Sequence, residues 1–201
     1  REMMQLGRRF GSEMVTIIDD PTYPAENGSY RYDDEGVRAR PTCLLRYGVL
    51  AGRLHSRATA AAMEETPTGN ARALAYEYPP IVRMSNTYID AGEQSFEEML
   101  AQTSAGLYAC GFIGGQTNME MSTFAAEEAY LIENGRLGRK VRDVTLTGNV
   151  FQTLGNIDMV GDDLRLYGDL GGCGKGEQSP LRVSSGGPHV RAQNVLVGGR
   201  T

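Results

Sequence analysis

A chain of 201 residues with 20 basic and 25 acidic side chains carries a formal charge of −5. Proteins that bind nucleic acid directly normally present a basic face or stripe, so this charge and the lack of any long basic run argue against a DNA or RNA partner. The length allows one sizeable core, and 26 glycines with only 8 prolines are typical of a turn-rich folded domain.

The cysteine content indicates a reducing compartment. Three widely spaced cysteines, Cys43, Cys110 and Cys173, form no disulfide framework. No apolar run approaches the ~20 residues that a transmembrane helix needs, and no secretory signal opens the chain. We therefore expect a cytoplasmic protein without membrane contact. Because the chain begins at Arg1 rather than methionine, we also expect it to be part of a longer protein.

The first half of the chain is predicted to be rich in strands. Residues 1–12 resemble the tail of a helix, β-branched residues predict strands at 14–18 and 81–89, and 42–45 and 49–54 flank a predicted hairpin turn. An alanine-rich stretch predicts a helix at 57–65. The acidic run at 33–36 lacks the spacing of an EF-hand calcium loop and predicts a solvated turn.

In the second half, Ser95 and Glu98 form a capping-box pattern, which predicts a helix of about three turns. The apolar, glycine-interrupted segment 106–118 predicts a buried or bulged strand. Asn134 and Gly135 predict a hairpin with a loop longer than two residues. The remaining predicted elements are a helix within 149–158 and strands at 164–167 and 190–197. The fold class is therefore mainly β (α+β), a single domain over 1–201 with a large, curved, mostly antiparallel sheet and a few short helices.

The glycine-rich stretch 171–179 carries the most distinctive side chain. Cys173 lies between glycines, where a cysteine either packs as a small hydrophobe or presents a thiolate. Packing is the commoner outcome for free cysteines, and we expect it for Cys43 and Cys110. A phosphate-binding loop is excluded, because Asp169 and Gly176 occupy the positions of its required glycine and hydroxyl residue.

The two histidines, His55 and His189, are too far apart for the H-E-x-x-H zinc motif. The residues alone therefore build no complete metal or catalytic site. A Cys173–His189 pair would suit a cysteine hydrolase, although an ordinary hydrogen-bonded or exposed histidine is the commoner situation. This alternative stays open on the sequence.

A series of short motifs runs in order along essentially the whole chain. They lie at 11–22, 28–36, 67–70, 83–88, 114–117, 128–135, 159–164, 173–175 and 197–199. Together they resemble the C-terminal half of the TldD/PmbA family, whose older label is modulator of DNA gyrase. The segments 33–36 and 173–178 resemble the TldD branch more closely than the other branch.

The resemblance implies a function and a ligand. The TldD branch contains zinc metallopeptidases that act on extended or unfolded peptides, including peptide-antibiotic maturation, whereas the PmbA (TldE) branch contains partner subunits without the metal site. Zinc in that family is held by a His-Glu-x-x-x-His helix and a late cysteine, which Cys173 matches. The helix and its general base are expected upstream of Arg1, so this chain alone should be inactive. A TldE/PmbA-like partner or a homo-oligomer is also expected.

Overall fold

The computed structural model describes residues 4–168 and 172–200, in which strands predominate over three short helices. In chain order these elements are β1 (Ile17–Asp19), β2 (Thr42–Arg46), β3 (Val49–Leu50), α1 (Arg57–Met63), β4 (Ala71–Arg72), β5 (Ile81–Val82), β6 (Asn86–Ile89), α2 (Phe96–Ala101), β7 (Ala105–Cys110), β8 (Gly114–Asn118), β9 (Met121–Ala125), β10 (Glu128–Glu133), β11 (Arg136–Asn149), α3 (Val150–Gly155), β12 (Ile157–Val160), β13 (Arg165–Tyr167), β14 (Cys173–Lys175), β15 (Gln178–Leu181), β16 (Ser184–Gly187), β17 (Val190–Ala192) and β18 (Leu196–Arg200).

The strands form two larger sheets and three small ones. The first six-stranded sheet has the order β13-β16-β6-β1-β2-β3, and its β16–β6 pair is parallel. The second has the order β7-β10-β11-β9-β8, with β18 also paired to β11. The pairs β12–β17, β14–β15 and β4–β5 stand apart from both. The mainly β, mostly antiparallel prediction is confirmed, but several sheets replace the single large one.

The local turn and capping signals are confirmed. Tyr47 and Gly48 both have positive φ in the two-residue turn between β2 and β3, and an added Cβ on Gly48 would lie 2.1 Å from the Gly11 carbonyl oxygen. Asn134 and Gly135 likewise form a two-residue turn between β10 and β11. The prediction of a longer loop there is wrong, because both residues take the left-handed conformation that closes a tight hairpin.

The predicted helices at 57–65, at Ser95 and within 149–158 all form. The Ser95 hydroxyl accepts a hydrogen bond from the Glu98 backbone N–H, and the Glu98 carboxylate accepts one from the Ser95 N–H. The helix that follows, α2, has six residues rather than about three turns. Residues 4–12, expected to be helical, instead form turns and a β-bridge from Arg9 to Val49.

Three predicted strands are divided or displaced by long-range pairing. The strand expected at 14–18 is Ile17–Asp19, the one at 81–89 separates into β5 and β6, and the one at 190–197 separates into β17 and β18. Segment 106–118 forms β7 and β8, and it is largely exposed rather than buried. The cysteines expected in the core, Cys43 and Cys110, are only half-buried.

A fully buried carboxylate lies at the end of β1. Asp19 Oδ1 accepts hydrogen bonds from the Ser85 N–H (2.7 Å) and the Thr87 hydroxyl (2.6 Å). Its Oδ2 accepts from the Ser85 hydroxyl (2.6 Å) and the Asn70 amide (2.8 Å). A buried charge is tolerated where hydrogen bonds replace its hydration. Asp19 therefore holds together segments separated by up to 68 residues of sequence.

Replacing Asp19 with asparagine should lower the free energy of unfolding by about 3 kcal/mol, because an amide N–H would face the donors at Ser85 and Asn70. Urea denaturation of the variant measures this loss. Asp20→Asn is the matched control, since the Asp20 carboxylate accepts hydrogen bonds from Thr22 within an exposed turn. Equal stability losses in the two variants would contradict the central role of Asp19.

Candidate functional site

Cys173 begins β14, the first strand of a short hairpin in which Cys173 pairs with Leu181 and Lys175 with Gln178. Its thiol is free and the residue is half-buried. The preceding Gly172 has φ +87°, and a Cβ there would lie 2.5 Å from the Leu181 carbonyl oxygen. Glycine is therefore required for the chain to enter the hairpin and place Cys173 at its start.

Side chains fasten this hairpin to the β4–β5 region. The Arg83 Nη2 donates to the Cys173 carbonyl oxygen (2.5 Å), and the Lys175 Nζ donates to the Val82 carbonyl oxygen (2.7 Å). Gln178 is 4% exposed; its Oε1 accepts from the Leu74 N–H and its Nε2 donates to the Pro79 carbonyl oxygen, each at 2.9 Å. The thiol is thus carried on a segment anchored at several points.

Two arginines lie beneath the hairpin. Arg83 is 1% exposed, and within the described chain its Nε and Nη1 have no hydrogen-bond acceptor. Arg72 donates to the carbonyl oxygens of Met84 (2.7 Å) and Arg182 (2.9 Å), and its guanidinium lies 4.9 Å from the Tyr30 ring centre. Burial lowers the pKa of Arg72 and raises the pKa of Tyr30. Both arginines therefore donate to backbone carbonyls of this region, Arg83 to Cys173 itself and Arg72 to residues outside β14 and β15.

The acidic turn at 33–36 supports the same region from the other side. The turn forms as predicted, but Asp33 is buried rather than solvated. Its Oδ1 accepts from the Glu35 and Val37 N–H groups, and its Oδ2 accepts from the Ala71 N–H (3.0 Å). The Asp33 carboxylate thus accepts hydrogen bonds from backbone N–H groups of β4 and of the turn. These bonds explain its burial without a bound cation.

Cys173 can supply one ligand to a metal. No group of three or more His, Cys, Asp or Glu side chains suited to a metal is present among residues 4–168 and 172–200. A half-exposed thiol on an anchored hairpin nevertheless suits a zinc ligand, since zinc binds thiolates readily. The assignment of Cys173 as a ligand stays a prediction of the family resemblance.

His189 is engaged in a separate cluster. Its Nδ1 lies 2.5 Å from Asp163 Oδ2 and its Nε2 lies 2.9 Å from the Tyr108 hydroxyl, while its ring packs on Phe96 at 4.5 Å between centres. Burial opposes ionisation of Asp163, but the hydrogen bonds from His189 outweigh it and lower the pKa of Asp163. Both ring nitrogens are therefore occupied, and the geometry does not support a Cys173–His189 hydrolase pair.

The His189 cluster borders a groove of about 850 Å³ that lies along α2 and β7 and is lined mainly by apolar side chains. None of the residues of β14 or β15 lines it. The groove is consequently a second feature of the molecule, distinct from the surroundings of Cys173.

His55 has a structural environment. It is 2% exposed, its Nε2 lies 2.8 Å from Glu65 Oε2, and its Nδ1 lies 3.1 Å from the Thr59 hydroxyl. Glu65 also pairs with Arg53. His55 thus tethers the two ends of α1 and leaves no free nitrogen for a metal.

The sequence did not predict the contact between Arg83 and Cys173, although Arg83 begins the motif at 83–88. The available signal was an arginine placed within the apolar and β-branched run at 81–89. A charged residue inside a strand-like stretch interrupts the apolar pattern. Here that residue directly follows β5, and its side chain contacts the Cys173 carbonyl oxygen.

The comparisons with known proteins agree with this arrangement of motifs. The sequence profile of the PmbA/TldA metallopeptidase C-terminal domain matches residues 3–199. The chain belongs to the TldD/PmbA family. It is 52% identical over 198 residues to a metalloprotease of Synechocystis and 49% identical over 197 residues to one of Methanothermobacter thermautotrophicus, covering 98% and 97% of this chain.

Solved structures share the fold. TldE from Thermococcus kodakarensis matches 96% of this chain and 42% of its own with a TM-score of 0.78 at 24% identity. A Thermotoga maritima protein described as a candidate modulator of a DNA gyrase matches 96% of this chain and 41% of its own with a TM-score of 0.76 at 28% identity.

The chain spans about two fifths of the two metalloproteases, 42% of each. It is thus a domain of the TldD/PmbA metallopeptidase family. Within the described ranges, no helix has the length and apolar character to cross a membrane.

The bond from His55 lowers the pKa of Glu65. A lowered folded-state pKa means that this carboxylate stabilises the fold above its unfolded pKa of about 4.3, and that the contribution is lost as the pH falls through the folded value. Glu65→Gln should therefore reduce stability near neutral pH, and its difference from the parent should shrink as the pH falls through and below the unfolded pKa.

Urea denaturation at a series of pH values measures this difference, with the exposed Glu97→Gln as control. A difference for Glu65→Gln that does not vary with pH would contradict the assigned role of the His55–Glu65 contact.

Proposed function

We propose that this chain is the C-terminal domain of a zinc metallopeptidase that cleaves extended or unfolded peptides, and that Cys173 supplies one of the zinc ligands. The observation that carries the proposal is the free, half-exposed thiol of Cys173 at the start of a hairpin anchored by Arg83, Lys175 and Gln178. Membership of a metallopeptidase family supports it.

The rest of the metal site is proposed to lie in the upstream part of the protein, on the His-Glu-x-x-x-His helix that supplies two imidazoles and the general base. Zinc, when bound, lowers the pKa of a coordinated water to about 7. The role of the present chain is to bring a soft thiolate ligand to the metal and to hold it in place. Cys173 is only partly buried, which is compatible with a ligand shared with another domain.

An extended peptide is the substrate class that the strand arrangement favours. Among the described strands, β13 pairs with β16 alone, so its second edge offers unpaired backbone groups. A peptide that adds to such an edge is bound through its main chain whatever its sequence. Tyr167, the last residue of β13, precedes Cys173 by only six positions. We infer that the peptide lies along this edge.

The alternative is a non-catalytic subunit of the PmbA/TldE type that shapes a proteolytic chamber. The structural likeness to TldE favours it, and the zinc content of the full-length protein separates the two. Either function would involve a TldE/PmbA-like partner or a second copy. Exposed apolar side chains around the β8–β9 hairpin support such an association: Phe112, Ile113, Met119, Met121 and Phe124. The free cysteines support action in the reducing cytoplasm.

In the full-length protein, Cys173→Ser should lose most bound zinc and most peptide hydrolysis with little change in the melting temperature of the metal-free protein, because a hydroxyl is a harder and far less acidic ligand than a thiol. Zinc per chain, hydrolysis and thermal unfolding measure these effects. Cys43→Ser and Cys110→Ser are matched controls that should keep full zinc. Full zinc occupancy in Cys173→Ser would refute the ligand assignment and favour the non-catalytic alternative.

The 201-residue chain alone should not hydrolyse peptides, because one thiolate does not retain catalytic zinc. Incubation of the purified chain with an unfolded peptide and zinc, followed by mass spectrometry, tests this. Hydrolysis that a chelator abolishes would show that the chain contains a complete site.

A further inference from the structure

Arg83 is buried at a cost that its contacts within the fold do not explain. Burying a guanidinium removes its hydration and is tolerated where carboxylates or several acceptors replace the lost water. Yet none of the ion pairs among the described residues includes Arg83, and its Nε and Nη1 lack acceptors. To the part of the chain that the structure describes, its side chain makes one hydrogen bond, from Nη2 to the Cys173 carbonyl oxygen at 2.5 Å. A methionine could fill this space without burying a charge.

The backbone of Arg83 is fixed by the network that surrounds Asp19. The Arg83 N–H donates to the Asn70 carbonyl oxygen at 2.9 Å, and the Asn70 side-chain amide donates to the Arg83 carbonyl oxygen at 3.2 Å. The same amide donates to Asp19, and Ser85, two residues further on, donates to both Asp19 oxygens. The guanidinium therefore extends from a rigid point of the fold to Cys173.

We propose that Arg83 is a positioning residue for the Cys173 zinc ligand. It fixes the backbone of the residue that bears the thiol, so that the sulfur is already in place when the metal binds. This inference rests on the proposed zinc-binding function. Lys175 and Gln178 anchor the hairpin beyond the cysteine, whereas Arg83 bonds to Cys173 itself.

Arg72 provides an internal comparison. It also lies beneath the hairpin and also donates to backbone carbonyls, but those belong to Met84 and Arg182 rather than to Cys173. A variant at Arg72 therefore disturbs the same region while leaving the contact with the thiol-bearing residue intact.

The test uses the full-length protein and measures the zinc dissociation constant by chelator competition, together with the melting temperature in the absence of metal. Arg83→Met should weaken zinc binding by about tenfold to a hundredfold, the range found when a group that orients a metal ligand is removed. Its melting temperature should be unchanged or raised, because an incompletely paired buried charge is removed. Arg83→Lys, which keeps one donor, should show a smaller loss of affinity.

The control Arg72→Met should keep the parental zinc affinity, with its effect confined to the melting temperature. Parental zinc affinity in Arg83→Met would overturn the inference. An Arg83→Met protein that fails to fold, or melts far below the parent, would also overturn it, since Arg83 would then be a residue of the fold alone. If Cys173→Ser also retains parental affinity, the proposed function itself fails; if only Arg83→Met does, the positioning role fails by itself.

Discussion

The buried carboxylate of Asp19 is the interaction on which the centre of this domain depends. It has no paired cation among the ion pairs of the described residues. Hydrogen bonds donated by Asn70, Ser85 and Thr87 stabilise the carboxylate instead. Those donors lie in or beside β4 and β6, strands of two and four residues. A small number of strong, charge-assisted hydrogen bonds therefore holds these segments together and fixes the segments around Arg83.

The hydrogen-bond network of Asp19 extends as far as the hairpin that carries Cys173. Asn70 joins Asp19 to the backbone of Arg83, and the Arg83 side chain joins that backbone to Cys173. A thiol carried on a glycine-rich hairpin, such as the proposed ligand Cys173, would otherwise retain the freedom that its glycines allow. Anchoring the hairpin reduces the ordering that metal binding would require, which is the physical advantage of a rigid support around a site. Four of the motifs, at 11–22, 67–70, 83–88 and 173–175, thus meet in one connected set of contacts.

Features that depend on neighbouring residues were predictable from the sequence. The Ser95 capping box and the Asn134-Gly135 turn each involve groups within three residues of one another, and both form. The contacts at the candidate site join residues far apart, such as Arg83 and Cys173, which are separated by 90 positions. No local pattern encodes such a partner, so the sequence could propose Cys173 as a ligand but could not predict its contact with Arg83.

Segment 106–118 shows a case in which the local pattern predicted burial that the fold does not provide. Its apolar residues predicted burial, yet Ile113, directly before the edge strand β8, is 70% exposed. An apolar sequence predicts that a surface will be covered, but it does not identify the segment or partner that covers it. In a chain that spans about two fifths of its relatives, an apolar edge is consistent with an interface to another domain or subunit.

The most direct test of the account is X-ray absorption spectroscopy at the zinc edge of the full-length protein, because it counts sulfur ligands. The account predicts one sulfur at about 2.3 Å from the metal, with nitrogen or oxygen ligands completing the shell. That sulfur should disappear from the residual zinc of Cys173→Ser. A spectrum of the parent protein with nitrogen and oxygen ligands alone, or a sulfur that persists in Cys173→Ser, would contradict it.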